Sequence, residues 1–442
     1  MLFSRKDLRK LIIPLVIEQI LAVTIGMADT VMVSSVGEAA VSGISLVDTI
    51  NVLLINIFSA LATGGAVVAA QYMGRKDHDN ANTAAKQLIL STTAVSFLIM
   101  AVSLLLKKPL LRLIFGSIEP DVMSNAQIYF LLSALSYPFL AAYNSGAALF
   151  RSMGNSKVSM FTSLIMNLVN VCGNAVLIYI FNMGVAGAGI ASLASRALGA
   201  IVMLLLLRNR NNPISVRQLH RIRFQPAMIK NIMRIGVPNG LENSMFQIGK
   251  ILTSSLIASF GTVAIAANAV ANTVASMECI PGSAIGLGMV TVVGQCVGAG
   301  EYEQAKKYTQ KLMLLTYITM AILNIGVLLA RQPIVEFYHL SPQTMELARW
   351  LLVYHSLLCM IIWPLSFTLP NALRAANDVR FPMAISIISM WVCRIGMSYL
   401  LGQGFNMGVK GVWIAMTCDW LVRASIFAWR FLSGRWKNKK GV

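Results

Sequence analysis

The side chains able to do chemistry in this chain are polar groups set inside apolar runs. Glu18 and Asp29 sit in PLVIEQILAVTIGMADTVMVSSVG (14–37), and Asp48, Glu242, Glu278 and Asp419 lie within or at the ends of other such runs. A charge at bilayer depth costs at least ~2.5 kcal/mol, so each acid either serves a function or is held by a partner. A deep carboxyl group such as Asp29 is a candidate to exchange a proton or hold a cation. Asn170 and Asn174 are four residues apart in NLVNVCGNAV, hence on one helical face, and Ser192 follows the GAG stretch of the next run. Two amides, a hydroxyl and a carboxylate suit a small cation as hard oxygen ligands. They equally suit a protonated acid as hydrogen-bond partners, or neighbouring helices as packing contacts.

Other groups are secondary candidates. Glu18 and Glu242 each follow a proline, Pro14 or Pro238, by one helical turn. A proline inside a helix removes one backbone hydrogen bond and permits a kink, so Pro14 is a candidate hinge in the first helix. The two glutamates could then bond the break or belong to the site. Arg394 could neutralise a buried acid such as Asp419 or Glu278. The six cysteines all lie in apolar runs without a CxxC pair, which predicts buried free thiols.

Positioning such groups requires membrane spans. The chain has 442 residues, 57% hydrophobic and only 12% charged, with a mean hydropathy of +0.70. Soluble domains carry about 25% charged residues, so the composition predicts an all-α integral membrane protein. Apolar segments fall at 11–36, 44–72, 84–106, 125–149, 158–181, 185–207, 229–259, 266–296, 308–330, 347–373, 381–403 and 409–431, which predicts twelve transmembrane helices. The first segment is too long and too acidic for a cleaved signal peptide, and it reads as a retained span.

The net charge of +19 belongs to the connections rather than to a nucleic-acid surface. Twenty-six of the 36 Lys and Arg residues lie at the termini and in or at the edges of the even-numbered connections, and six in or at the edges of the odd-numbered ones. The positive-inside rule therefore predicts both termini in the cytoplasm of a multi-pass protein of the cell membrane. A basic stretch, 208–228, separates a first lobe, 1–207, from a second, 229–442.

The two lobes are copies. FNMGVAGAGIA (181–191) matches FNMGVKGVWIA (405–415) at eight of eleven positions. The register that pairs position 181 with 405 also pairs Pro14 with Pro238, Glu18 with Glu242, Gly37 with Gly261 and Gln71 with Gln295. Arg151 and Arg374 align one position out of it. Six spans per copy make the repeat parallel, about a pseudo-two-fold axis along the membrane normal, a plan found in secondary transporters. The deep acid is not repeated, because Asp29 falls opposite Thr253. No Walker A loop, HExxH or DDxxD motif is present, which argues against an ATP-driven pump, a zinc hydrolase or a prenyl transferase. The four histidines show no ligand spacing, and no cofactor is expected.

The proline fifteen residues before a deep aspartate, the LFRSMGNSKVSM loop (149–160), the NMGVAGAGIAS run and the six-helix repeat resemble the multidrug and toxin extrusion (MATE) family. RSMGNSK is similar to that family's Arg-Gly-x-Gly-Asp-Thr-Lys loop. The resemblance covers nearly the whole chain. It implies a V-shaped molecule of two six-helix lobes that exports amphipathic organic cations by alternating access, against H⁺ or Na⁺. It also implies a first-lobe cation site at Asp29, Asn170, Asn174 and Ser192. Asn174 departs from members that carry a second aspartate there. Phe246 and Trp363 occupy positions that are acidic in one subgroup, with Glu242 one turn from the first. The alternative is a lipid-linked saccharide flippase of the same superfamily, which would need a more cationic lumen. Expected partners are the bilayer and small organic cations, with no nucleic acid, and the chain is expected to act as a monomer.

Overall fold

The computed structural model describes residues 2–116, 119–217 and 223–439, except for the side chains of 25–30. Among them every regular element is helical. In chain order these are α1 (Arg5–Ser34), α2 (Glu38–Gly74), α3 (His78–Leu105), α4 (Lys107–Phe115), α5 (Pro120–Ser152), α6 (Ser156–Asn174) and α7 (Gly184–Leu207). There follow α8 (Pro226–Ala258), α9 (Thr262–Glu278), α10 (Ile280–Gly298), α11 (Tyr302–Leu329), α12 (Arg331–Phe337), α13 (Pro342–Trp363) and α14 (Leu369–Ala375). The last are α15 (Arg380–Ser389), α16 (Met397–Tyr399) and α17 (Gly408–Leu432).

Among the described residues, ten helical stretches are long and apolar enough to cross a membrane. The remaining two expected spans correspond to α1, part of which is undescribed, and α8. The latter carries Asn239, Glu242, Asn243, Gln247 and Lys250 among its apolar residues, which lowers its hydropathy. The eighth expected span is interrupted: α9 ends at Glu278 and α10 begins at Ile280, with Pro281 in its first turn. A proline there lacks the amide that would continue the ladder, which explains the break. By contrast, α1 and α8 run through Pro14 and Pro238 as single helices.

The chain forms two compact units, Ser4–Gly240 and the remainder from Leu241 onward with Leu2 and Phe3. In the first, α2 packs on α5, α5 on α7, α6 on α7 and α1 on α6. In the second, α13 packs on α9 and α17, and α10 on α11 and α14. Outward-facing Leu105, Leu168, Ile322 and Leu432 are more than 60% exposed, as expected of side chains that meet lipid rather than water.

The repeat extends to backbone conformation. Gly37 and Gly261 begin α2 and α9 at φ of +128° and +100°, which only glycine adopts readily. Asn182 and Asn406 are both left-handed, at +52° and +55°, after π-helical turns at Ala175–Ile180 and Leu400–Gly404. A repeated ion pair sits behind this. Arg151 Nη1 lies 3.7 Å from Glu18 Oε1 in the first unit, and Arg374 Nη2 donates to Glu242 Oε2 at 2.7 Å in the second. Each glutamate is thus held by the arginine that ends α5 or α14, and Ser159 Oγ also donates to Glu18, at 2.8 Å.

Helix α8 enters the first unit through a glycine contact. A Cβ on Gly64 would stand 2.7 Å from the Gly236 nitrogen and 2.7 Å from the Ile232 oxygen, both backbone atoms that cannot swing aside. At Gly240 an added Cβ would meet only the Ala60 Cβ, at 3.8 Å. Gly64→Ala is therefore expected to destabilise the protein by about 1–3 kcal/mol through overpacking. Gly240→Ala should be neutral or gain up to ~1 kcal/mol of helix propensity. Thermal unfolding in detergent checks the contrast, and equal melting midpoints for the two variants would remove the close contact from the account.

Candidate functional site

In the first unit five helices, α1, α2, α5, α6 and α7, enclose a cavity of about 460 Å³. Helix α6 presents Asn167, Asn170 and Asn174 to it from one face, as the spacings of three and four require. Helix α7 adds Ser192 and, four residues on, Arg196, while α2 adds Ser45 and Asp48. Tyr143 and Asn144 of α5 complete the polar lining.

The amide and hydroxyl groups form a chain. Asn174 Nδ2 donates to Asn170 Oδ1 at 3.1 Å, and Asn170 Nδ2 donates to Ser192 Oγ at 3.1 Å. Asn170 is 8% and Asn174 2% exposed, so these bonds lie in the interior of the unit. Asp48 is tied to a second network: Asn51 Nδ2 donates to it at 3.1 Å, and Tyr137 donates its hydroxyl proton to Asn51 Oδ1 at 3.1 Å. Arg196 Nη1 donates to Ser136 Oγ at 2.6 Å and lines the same cavity. The three expected site residues with described side chains, Asn170, Asn174 and Ser192, are therefore brought together. Asp29 lies in α1, among residues 25–30, and its side chain lies outside the described residues. Asn167 and Arg196 were not singled out from sequence, and Asp48 was named among the deep acids but not assigned to this site. The legible signal was spacing, since Asn167 precedes Asn170 by three and Arg196 follows Ser192 by four.

The secondary candidates go elsewhere. Glu18 and Glu242 are held by Arg151 and Arg374, not by the helix positions after Pro14 and Pro238. Arg394 serves Asp419, with Nη1 3.9 Å from Oδ2. Arg423 Nε lies 3.2 Å from Asp419 Oδ1, and Ser389 donates its hydroxyl to the same carboxylate. Glu278 pairs instead with His355, whose Nδ1 is 2.5 Å from Oε2.

At Phe246 and Trp363 the second unit builds an aromatic box. Phe246 meets Phe367 edge-on, with centroids 5.9 Å apart, and Trp363 stacks on Phe367 at 5.0 Å. The Arg394 guanidinium lies 4.9 Å from the Phe246 centroid, and Arg423 lies 5.1 Å from that of Phe367. The small cavity beside it, about 40 Å³, is lined by Lys250, Thr253, Asn272 and Arg394. Thr253, Asn272 and Arg394 are the repeat counterparts of Asp29, Asp48 and Asn170. This pocket is therefore lined by two cations, the kind of lining that the flippase alternative would need. The cysteines are free, as expected, but only Cys296 and Cys359 are buried and Cys172 is exposed. An apolar run does not by itself say whether a thiol faces the core or the lipid.

Comparison with known proteins gives a consistent picture. The MatE family model matches residues 14–176 and again 238–400, so the two matches are related by the same register as the repeat. The "Uncharacterized transporter YisQ" of Bacillus subtilis is 25% identical over 435 residues, covering 96% of this chain and 94% of that protein. The "Probable multidrug resistance protein NorM" of Thermotoga maritima is 25% identical over 444 residues, covering 98% and 94%. Among solved structures, an outward-facing multidrug resistance MATE transporter of the MOP superfamily superposes with a TM-score of 0.89 at 18% identity, covering 98% of this chain and 97% of the other.

Asp419 is the acid on which the second unit's cations converge. Asp419→Asn leaves Arg394 and Arg423 without their counter-charge and is expected to cost about 3–5 kcal/mol. Its repeat counterpart, Ser195, makes one bond to a backbone carbonyl, and Ser195→Ala should cost at most ~1.5 kcal/mol. Detergent melting curves compare the two, and similar losses would deny Asp419 its role.

Proposed function

The chain belongs to the MatE family of multidrug and toxin extrusion transporters, and on that premise we propose that it exports amphipathic organic cations by antiport. The observation that carries the proposal is the first-unit cavity, which gathers Asp48, Asn170, Asn174 and Ser192 around enough space for part of a small ligand. Its place is the cell membrane, as the bacterial relatives indicate, with both termini in the cytoplasm and the single chain as the working unit. The coupling ion is H⁺ or Na⁺, and no other cofactor takes part.

In this reading Asp29 carries the coupling. Helix spacing supports it: positions 22 and 33 of α1 both line the cavity, and position 29 is seven residues from one and four from the other, hence on the same face. A cationic drug and the arriving ion compete for one carboxylate, with Asn170, Asn174 and Ser192 as oxygen ligands or hydrogen-bond partners. The cycle can do work only if the ion binds the two orientations of the transporter with different affinity. Pro14 would provide the flexibility of α1. The flippase reading draws support from Lys250 and Arg394, but their cavity of about 40 Å³ has room for only one or two waters, not a pyrophosphate.

The test is efflux of a fluorescent organic cation from reconstituted vesicles under a pH gradient or a Na⁺ gradient, each imposed separately. Asp29→Asn preserves size and removes charge, so gradient-driven efflux should be lost while the folded protein remains in the membrane. Asn170→Leu removes the bond to Ser192 and the acceptor for Asn174, and should weaken drug binding about two- to ten-fold. Wild-type efflux in Asp29→Asn, with efflux lost in Glu242→Gln, would move the coupling site into the second unit and overturn the reading.

A further inference from the structure

Away from that cavity, the second unit carries a cluster of ligating groups that export chemistry does not use. Cys279 occupies the break between α9 and α10, directly after Glu278. His355 and Cys359 lie four residues apart on α13, hence on one face. One ligand atom from each of Cys279, His355 and Cys359 lies within 4.8 Å of the others, and the two sulfurs are 3.8 Å apart. Behind the imidazole, Glu278 accepts from the ring at 2.5 Å and also takes the Ser356 hydroxyl hydrogen bond. Trp413 and Trp420 pack edge-on against the ring, with centroids 5.6 and 5.4 Å away. Glu278 and Cys359 are 0% and His355 2% exposed, while Cys279 is only half-buried and leaves a way in.

We propose that Cys279, Cys359 and His355 bind a thiophilic divalent cation of the Zn²⁺ class. Two thiolates each about 2.3 Å from a tetrahedral zinc stand about 3.8 Å apart, the separation seen here. Thiols in simple contact would also come this close, so the sulfur pair alone decides nothing. The third ligand and the carboxylate behind it do. A metal-bound histidine characteristically gives its other ring N–H to a carboxylate, which fixes the ring and raises its basicity, and Glu278 is placed for that role. Charge also fits: the metal enters as two thiol protons leave to water, so two thiolates cancel the divalent charge inside a span where a bare cation would be costly. The cluster belongs to one unit only, because Leu54 and Ile55 stand where the repeat would place Glu278 and Cys279. The remaining coordination position is open to water or to a soft ligand, which is the arrangement of a functional rather than a structural zinc site.

The test uses the full-length protein in detergent, stripped with a chelator and titrated with Co²⁺ and then Zn²⁺. About one Co²⁺ per chain should bind with a sulfur-to-cobalt charge-transfer band, and Zn²⁺ should displace it. Cys279→Ser combined with Cys359→Ser should abolish the band. Glu278→Gln should keep the band but weaken binding about 10- to 100-fold, as loss of a group that orients a metal ligand does. The wild-type titration decides even if a variant fails to fold: no charge-transfer band at excess Co²⁺ overturns the proposal. So does peptide mapping that finds Cys279 and Cys359 joined to each other in protein prepared without oxidant.

Discussion

Everything in this molecule answers to the cost of a charge held out of water. In an apolar span a carboxylate or guanidinium is tolerable only with a partner within reach, and the chain supplies those partners within each unit. Arg151 is aimed at Glu18 and Arg374 at Glu242, so the end of one helix is tied to the middle of another at equivalent places in both copies. Asp419 binds two arginines, and Asp378 accepts from Arg430 Nε at 2.8 Å. These contacts fix how helices approach one another, because a shift of a few ångströms would strand a charge.

The copied ion pairs and the uncopied polar groups therefore have different meanings. A contact retained in both units belongs to the scaffold, as the left-handed Asn182 and Asn406 do in the backbone. Positions that diverge are free to differ in chemistry. Aspartate faces threonine across the repeat at 29/253 and asparagine at 48/272, and an asparagine faces arginine at 170/394. The first unit thereby keeps oxygen ligands around a sizeable cavity, while the second replaces them with cations stacked on phenylalanines and locked to Asp419. A cation at the second position would meet Lys250 and Arg394, so the same fold repels there what it could hold in the first unit.

Much of this was legible in the sequence, because hydropathy and the repeat are linear properties. The spans, the copying of one half into the other and the face shared by Asn170 and Asn174 all follow from composition and spacing. Both ends of the repeated ion pair were visible too, Glu18/Glu242 and Arg151/Arg374, but not as partners, since pairing needs the end of α5 brought against α1 and the end of α14 against α8. Arg394 illustrates the same limit: the sequence offered Asp419 and Glu278, and only tertiary placement assigns it to Asp419. The break at Cys279 was signalled by Pro281 and hidden by the apolar run around it. His355 and Cys359 were hidden differently. Their spacing of four is ligand spacing only once Cys279, three helices earlier in the chain, is brought beside them.

That last case bears on how a duplicated transporter acquires new chemistry. Once the ion pairs common to both units hold the helices, the interior of either unit can accept a new polar group provided its charge is met locally. Glu278 is met by His355 and Ser356, and the two thiols beside them are neutral until something takes their protons. Groups of that kind cost little while idle and bind strongly when engaged, which is how a membrane interior can hold a reactive cluster without losing stability. The first unit meets the same cost differently, bonding Asp48 to Asn51 and linking Asn170, Asn174 and Ser192 beside a cavity. The first unit keeps amides, a hydroxyl and Asp48 around a sizeable cavity, the second closes its arginines onto Asp419, and that division follows from which side chains the repeat failed to copy.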